Sequence, residues 1–191
     1  MTKRGNFKKK TELSDRTPVP RPAAAKAQLS KRSATPVKGI VTKKAKQSTI
    51  ISPRSVYTAS GVERIAMIRR GVPAVALNEI VRKMAISKER LYATLRFPTS
   101  TIDRKIRNND ALSAEHSERL LGLERLIGQV EVMLSQSGTG EKFDADRWVG
   151  AWLDHPLPAL GGARPAEYMD TIEGQELVSG LLAQSQSGAY G

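Results

Sequence analysis

The sequence predicts an all-α protein. Apolar residues recur at spacings of three and four from Val56 onward, which is the period of one face of an α-helix. No stretch shows the alternation of apolar and polar residues that is typical of a half-buried β-strand. Clusters of Gly, Pro, Ser and Asn divide the helical pattern into segments. We therefore expect several short helices and one long helix, preceded by a disordered basic tail.

Residues 1–52 are predicted to form that tail. The first 50 residues carry 14 Lys and Arg against two acids, with four prolines and one aromatic residue, Phe7. Such a segment cannot bury enough apolar area to offset the entropy lost on ordering. An electrostatic tail that contacts phosphates is the favoured interpretation. An inert leader is the first alternative, and a targeting signal is disfavoured because the prolines interrupt an amphipathic helix.

The rest of the chain divides into a basic and an acidic half. Residues 51–110 carry a net charge of +7, and residues 111–191 carry −7. A basic surface suits a polyanion, whereas the acidic half suits a different partner. The chain has no cysteine and two histidines, which excludes thiol chemistry and makes a histidine metal site unexpected. Because no apolar run approaches the roughly 18 residues of a membrane span, we expect neither secretion nor membrane insertion.

Four helical segments are predicted in the basic half. The first places four apolar residues on one face: Val62, Ile65, Ile68 and Val72. Three short segments follow, over residues 77–85, 87–95 and 100–108. Ser87 is a predicted N-cap of the second short segment, and Ser100 with Asp103 predicts a capping box for the third.

A long helix follows, with Ser113 as its predicted cap. Its apolar residues alternate at steps of three and four, in a seam formed by Leu120, Leu123, Ile127, Val130 and Leu134. Four glutamates lie off the seam: Glu115, Glu118, Glu124 and Glu131. The seam is either a dimer interface or intramolecular core.

Two more helices are predicted in the C-terminal region. The first begins at Asp144 or Asp146 and carries Trp148 and Trp152, and the last begins near Thr171. The tryptophans lie four residues apart and therefore share one helical face. Core packing is the favoured interpretation of this pair, and contact with a partner is the alternative. Between the two helices, Leu160-Gly161-Gly162 predicts a turn, and Pro165 suits a first helical position.

The segments 87–95 and 100–108 suit a helix-turn-helix, in which the first helix lies across the DNA backbone and the second enters the major groove. Ile102 and Ile106 would pack inward. The candidate DNA contacts are Thr99, Ser100, Thr101, Arg104, Lys105 and Arg107. Asp103 would reduce affinity if it faced DNA. A solvated basic face without DNA contact is the alternative interpretation.

Enzymatic motifs are missing from the sequence. There is no Gly-rich phosphate loop, no nucleophile elbow and no His-Glu pair at metal-binding spacing. His116 is expected to be exposed, and His155 beside Pro156 suits a structural role better than a catalytic one. Asp144 and Asp146 are interpreted as charges at a helix N-terminus. We expect no enzyme, no catalytic residue, no cofactor and no metal.

Residues 144–191 resemble the C-terminal toxin-binding domain of the Xre/MbcA/ParS antitoxin family. The resemblance rests on Trp152-Leu153, Pro156, Leu160-Gly161-Gly162, Arg164-Pro165, Thr171, Gly174, Val178, Leu181-Leu182 and Gly188. Residues 100–105 and 112–121 resemble the Xre-like helix-turn-helix and long helix of the same family. Composition and the resemblance together predict three parts: a tail over 1–52 from composition, then a helix-turn-helix and dimerisation domain over 53–137 and a toxin-binding domain over 138–191 from the resemblance.

The resemblance implies a bacterial, cytoplasmic type II antitoxin. Such a protein covers the active site of a RES-domain toxin that acts on NAD, and it binds the operon promoter as an autorepressor, as a homodimer within a larger complex. By position, the toxin contacts would be Trp148, Trp152, Leu160, Gly161, Gly162, Arg164 and Leu181, with Ser187, Gly188, Ala189, Tyr190 and Gly191 as a plug. Glu167, Tyr168 and the long tail depart from the family pattern. A DNA-binding transcriptional regulator without a toxin partner is the main alternative, and a nucleoid or RNA-associated protein led by the tail is a third.

Overall fold

Eight α-helices make up most of the described part of the chain. The computed structural model describes residues 52–137 and 143–186, which belong to one compact unit. The helices are α1 (Pro53–Thr58), α2 (Gly61–Arg70), α3 (Ala76–Met84), α4 (Lys88–Thr94), α5 (Thr99–Asn108), α6 (Ala114–Ser137), α7 (Ala145–Trp152) and α8 (Ile172–Gln186). Two 3₁₀ turns, Pro158–Leu160 and Pro165–Tyr168, lie between α7 and α8.

This architecture confirms the all-α prediction. Within the two described ranges there is no β-strand, and a single isolated bridge joins Pro73 to Ala111. None of the described helices is both long enough and apolar enough to cross a bilayer. The prediction of a disordered tail over residues 1–52 falls almost entirely outside the described residues.

Side-chain caps fix the starts of several helices. The Ser87 and Asp144 side chains accept hydrogen bonds from the amides three residues on, at 3.1 and 3.0 Å, and Ser113 does the same for α6 at 3.3 Å. The predicted caps at Ser87 and Ser113 are confirmed, and Asp144, which was predicted only as a possible start of this helix and a charge at its N-terminus, also acts as a cap. The predicted capping box of Ser100 and Asp103 is wrong, because α5 begins at Thr99 directly after Pro98 and has no side-chain cap.

The α6 seam forms the centre of the hydrophobic core. Leu120, Leu123, Ile127 and Val130 are each at most 5 % exposed. The core joins these residues to others from the neighbouring helices: Val56 of α1, Leu77 of α3, Leu91 of α4, Ile102 of α5, Val149 of α7 and Val178 of α8. The seam is therefore intramolecular core, which decides between the two alternatives that the sequence left open.

Polar contacts and a close approach hold α8 against α6. The Gln175 side-chain amide donates to the backbone oxygens of Arg119 and Met169, at 3.0 and 2.8 Å. A Cβ on Gly122 would lie 1.6 Å from Gln175 Oε1, so a side chain at this position would displace the Gln175 amide from its present position. Gln129 and Ser179 form a second link, with the Ser179 hydroxyl donating to Gln129 Oε1 at 2.6 Å.

The apolar face predicted for α2 is only partly buried. Val72 is 2 % exposed and Ile68 packs against the core, but Val62 is 78 % exposed and Ile65 is 48 % exposed. Neighbouring helices therefore cover this face only toward the C-terminal end of α2, and Val72 lies beyond the helix, which ends at Arg70. Periodicity shows that residues share a face, but it does not show how much of that face the neighbouring helices cover.

Glu124 is a buried carboxyl group within this core. Glu124 is 4 % exposed, and its Oε2 atom accepts no hydrogen bond from the described residues. Burial first, and the nearby Asp146 of α7 second, raise the pKa of Glu124 to about 8. Lys83 of α3 opposes the rise, whereas Glu79 of α3 and Glu131 of α6 add to it. The fold therefore favours the neutral form of this side chain.

We predict that Glu124→Gln stabilises the protein at pH 8 and changes its stability less at pH 5. The unfolded chain releases this proton near pH 4.5 and the folded chain near pH 8. Between these values the wild-type free energy of unfolding should fall by at most about 1.4 kcal/mol per pH unit on account of Glu124. Urea unfolding of both proteins at pH 5, 6, 7 and 8 measures the difference. If the free energies of unfolding of the two proteins changed in parallel with pH, the raised pKa of Glu124 would be contradicted.

Candidate functional site

The turn between α4 and α5 is held from both sides. Arg96 adopts a φ of +47°, an uncommon value for a residue with a side chain. Phe97 is 5 % exposed, and its ring lies 6.3 Å from Tyr92 and 5.1 Å from His116, measured between ring centroids. The Arg119 guanidinium of α6 donates to the Arg96 backbone oxygen at 3.4 Å. These contacts fix the angle at which α5 leaves the core.

Asp103 joins α5 to α4. Tyr92 Oη donates to Asp103 Oδ1 at 3.0 Å, and Lys88 Nζ lies 2.7 Å from the same oxygen. The hydrogen bond from Lys88, followed by that from Tyr92, lowers the pKa of Asp103, and the pairing raises the pKa of Lys88. The carboxylate that seemed from the sequence to oppose DNA binding is therefore paired with a cation of α4.

The rest of α5 separates into an inner and an outer face. Ile102 is fully buried and Ile106 packs against the core, which confirms the inward face. Four of the candidate DNA contacts are exposed: Thr99, Ser100, Arg104 and Arg107. Thr101 and Lys105 are half-buried, and Lys105 Nζ donates to the Ala111 backbone oxygen at 2.8 Å. Lys105 is thus less free to reach a phosphate than the sequence suggested.

The two histidines differ in burial. His116 is half-buried with its ring edge-on to Phe97, so the prediction that it is exposed is wrong. Burial lowers its pKa, which favours the neutral ring. His155 is exposed, and its backbone N–H donates to the Trp152 oxygen at 3.0 Å.

An aromatic row lies along α7. The Trp148 and Trp152 rings are stacked, with centroids 5.8 Å apart and planes at 12°. Phe143, which is 41 % exposed, lies 6.1 Å from Trp148. Both tryptophans are half-buried and pack against the core. They therefore contribute to the core on one side and to the surface on the other.

Beside this row, an apolar groove of about 190 Å³ separates α7 from α8. It is lined by Trp152, Leu157, Pro158, Ala159, Leu181 and Ser185. Gly161 and Gly162 have φ values of +65° and +89°, which allows the chain to turn there. Gly162 N–H then donates to the Leu157 oxygen at 3.0 Å. The predicted turn is confirmed, and it positions one wall of the groove.

Ion pairs connect the C-terminal region to the turn between α4 and α5. Arg96 Nε lies 2.9 Å from Asp170 Oδ2, and Arg90 is paired with Asp154. Arg164 is paired instead with Glu167, at 2.9 Å. A cavity of about 300 Å³ lies between α4 and the Pro165–Tyr168 turn, and all of these groups except Asp154 line it. The roles of Asp154 and Asp170 could not be predicted from the sequence, because ion-pair partners distant in the chain leave no local pattern.

Comparison with known proteins agrees with this geometry. Residues 63–125 match the antitoxin Xre-like helix-turn-helix domain, and residues 141–188 match the antitoxin Xre/MbcA/ParS C-terminal toxin-binding domain. A relative from Sphingobium sp. (strain YBL2), the Prs ADP-ribosylating antitoxin, is 44% identical over 137 residues, which are 72% of this chain and 86% of the relative. The chain belongs to the Xre/MbcA/ParS antitoxin family.

Both candidate surfaces of this antitoxin lie inside the matched domains. Helices α4 and α5 fall within the helix-turn-helix domain, and the groove and aromatic row fall within the toxin-binding domain. The resemblance seen in the sequence is confirmed, and the family is one of antitoxins rather than of enzymes. The candidate plug, residues 187–191, lies outside the described residues.

We predict that Asp103→Ala weakens DNA binding by about tenfold, although it removes a negative charge from the predicted recognition helix. The reason is that Lys88 and Tyr92 lose the group that fixes α5 against α4. Asp110→Ala is the matched control, since it removes the same charge from an exposed position just beyond α5. Gel-shift titrations of the upstream promoter region at one salt concentration measure both. Tighter binding by Asp103→Ala would contradict a positioning role.

Proposed function

We propose that this antitoxin neutralises a bacterial RES-domain toxin that consumes NAD, as part of a type II toxin–antitoxin pair. The observation that carries the proposal is the match of residues 141–188 to a toxin-binding domain. The resemblance of Trp152-Leu153, Leu160-Gly161-Gly162 and Leu181-Leu182 to the family supports a RES-type partner. The name of the Sphingobium relative supports ADP-ribosyl transfer, for which NAD is the donor.

The C-terminal domain would act by covering the entrance of the toxin's active site. Residues 143–186 carry seven acids against two arginines. A negative surface complements a basic nucleotide-binding cleft and increases the rate of encounter. The toxin contacts would come from the aromatic row, Leu160 to Gly162, Arg164 and Leu181. Five small or uncharged residues follow α8, Ser187 to Gly191, and they would enter the pocket as a plug.

We predict that deletion of residues 187–191 weakens inhibition of NAD turnover by at least about tenfold, while the Kd changes by less than about threefold. The deletion removes the plug and leaves the groove, the aromatic row and α8 in place. Titrating the NAD turnover of the toxin with each antitoxin measures the loss of inhibition. Calorimetric titration of the same proteins measures the loss of affinity. Equal losses in activity and affinity would count against a plug, and full inhibition by a chain lacking 141–191 would exclude toxin covering by this domain.

The helix-turn-helix would bind the promoter of the operon in the cytoplasm and repress it. Arg104 and Arg107, which are exposed on α5, would contact phosphates or bases, and Thr99 and Ser100 would contact a phosphate at the N-terminus of α5. Thr101 and Lys105 would contribute from the edge of this surface. The basic tail would add contacts to phosphates without reading sequence. A transcriptional regulator without a toxin partner does not account for the match over residues 141–188.

We further propose that the antitoxin is a homodimer joined through α2. Val62 and Ile65 are exposed on this helix, whereas the α6 seam is buried. When two copies of α2 pack antiparallel, the exposed apolar residues of both copies meet at the centre of the interface. A two-fold dimer also suits binding to paired half-sites.

We predict that Val62→Glu combined with Ile65→Glu converts the dimer to a monomer without loss of helix content. Two charges buried at the centre of an apolar interface remove its stability. The control is Val75→Glu, an equivalent change at a 39 % exposed residue outside α2. Light scattering coupled to gel filtration gives the mass, and circular dichroism reports the fold. A monomeric wild-type protein, or a dimeric double variant, would contradict an α2 interface.

A further inference from the structure

The apolar groove between α7 and α8 has a defined size and chemistry. Five of its six lining residues are apolar, and Ser185 is the polar one. Its volume of about 190 Å³ exceeds the 150 Å³ or so of an apolar cavity that accommodates benzene. A leucine, methionine or aromatic side chain from another protein therefore fits it.

The groove is continuous with exposed apolar surface on both sides. On α7, the stacked rings of Trp148 and Trp152 lead from Phe143 to the groove wall. On α8, Leu177 lies one turn before Leu181, so the two side chains share a face, and Leu177 is 45 % exposed. Contiguous apolar surface of this kind marks a protein interaction site, and tryptophan is prominent among the residues that dominate such interfaces.

We propose that the groove receives a bulky apolar side chain of the toxin, flanked on the toxin by Lys or Arg. This inference rests on the proposed toxin-binding function and names the anchor point of that interaction. The acidic charge of the domain favours a basic partner surface. A second copy of this domain would bring the same excess of acids, so the charge disfavours a dimer through the groove.

The position of the groove also relates binding of the toxin in the groove to entry of the C-terminal residues into the toxin's active site. Ser185 lines the groove, and the chain continues for six residues beyond it to Gly191. Six extended residues reach at most about 20 Å. A toxin anchored in the groove therefore has the C-terminal segment within that distance of the docked surface, which raises its local concentration at a neighbouring active site.

Filling the groove tests the anchor directly. In Ala159→Trp, the new ring occupies the space that the toxin side chain would need. Ala183→Trp is the matched control, because Ala183 is exposed and lies two residues from both Leu181 and Ser185, on the opposite face of α8. Calorimetry of the full-length variants with the purified toxin measures affinity, and thermal unfolding shows that each variant is folded.

We expect Ala159→Trp to raise the Kd for the toxin by at least about tenfold and Ala183→Trp to leave it within about twofold. Wild-type affinity in a folded Ala159→Trp protein would overturn the groove as anchor and leave the proposed function standing. If the wild-type chain neither binds nor inhibits the toxin, the proposed function fails, and the anchor fails with it. If Ala159→Trp does not fold, a second measurement tests whether the groove is the anchor.

That measurement uses the two tryptophans of the chain, one in the groove and one beside it. Wild-type antitoxin labelled with 5-fluorotryptophan gives two ¹⁹F resonances, which Trp148→Phe assigns. Addition of unlabelled toxin should shift or broaden the Trp152 resonance. An unchanged resonance in the saturated complex would overturn the proposal. If deletion of residues 1–51 shifted the Trp152 resonance comparably in the absence of toxin, the basic tail would be the occupant of the groove. That result would also overturn the proposal.

Discussion

Burial of the α6 seam is the interaction on which the rest of this structure depends. Leu123 and Ile127 are fully buried, and helices from both halves of the chain pack against α6. Burial of a leucine or isoleucine side chain contributes about 2 kcal/mol each, so the seam is a principal source of stability. The hydrogen bonds from Gln175 and the close approach at Gly122 then set the position of α8 on α6. Apolar burial stabilises the fold, and these polar contacts determine how α8 is positioned along α6.

The two candidate surfaces are therefore attached to one core. Helix α5 projects from the basic side, where Asp103, Lys88 and Tyr92 hold it against α4. The groove and the aromatic row lie on the acidic side, between α7 and α8. The Arg96–Asp170 pair connects the two sides at the turn that precedes α5. The opposite charges of the two halves thus lie on two separate candidate surfaces.

Much of the fold could be predicted from local patterns. The three short helices, the long helix, the caps at Ser87 and Ser113, and the glycine turn follow from spacing and from the conformations that individual residues favour. The order of these motifs was enough to identify the antitoxin family. The predicted capping box failed because Asp103 has two possible partners. Asp103 can cap its own helix or pair with α4, and the sequence alone does not show that Lys88 and Tyr92 lie within reach.

The sequence by itself determined the helical class, the positions of α2 to α8, the division of charge and the family, because each of these depends on residues close in the chain or on composition; the short helix α1 was not predicted. Tertiary structure alone decided that the α6 seam faces inward, that Val62 and Ile65 remain exposed, that Glu124 is buried with a raised pKa, and that Trp152 meets Leu181 across a groove. Each of these depends on which helix covers which face. Periodicity defines a face, but the packing of distant segments determines what that face meets.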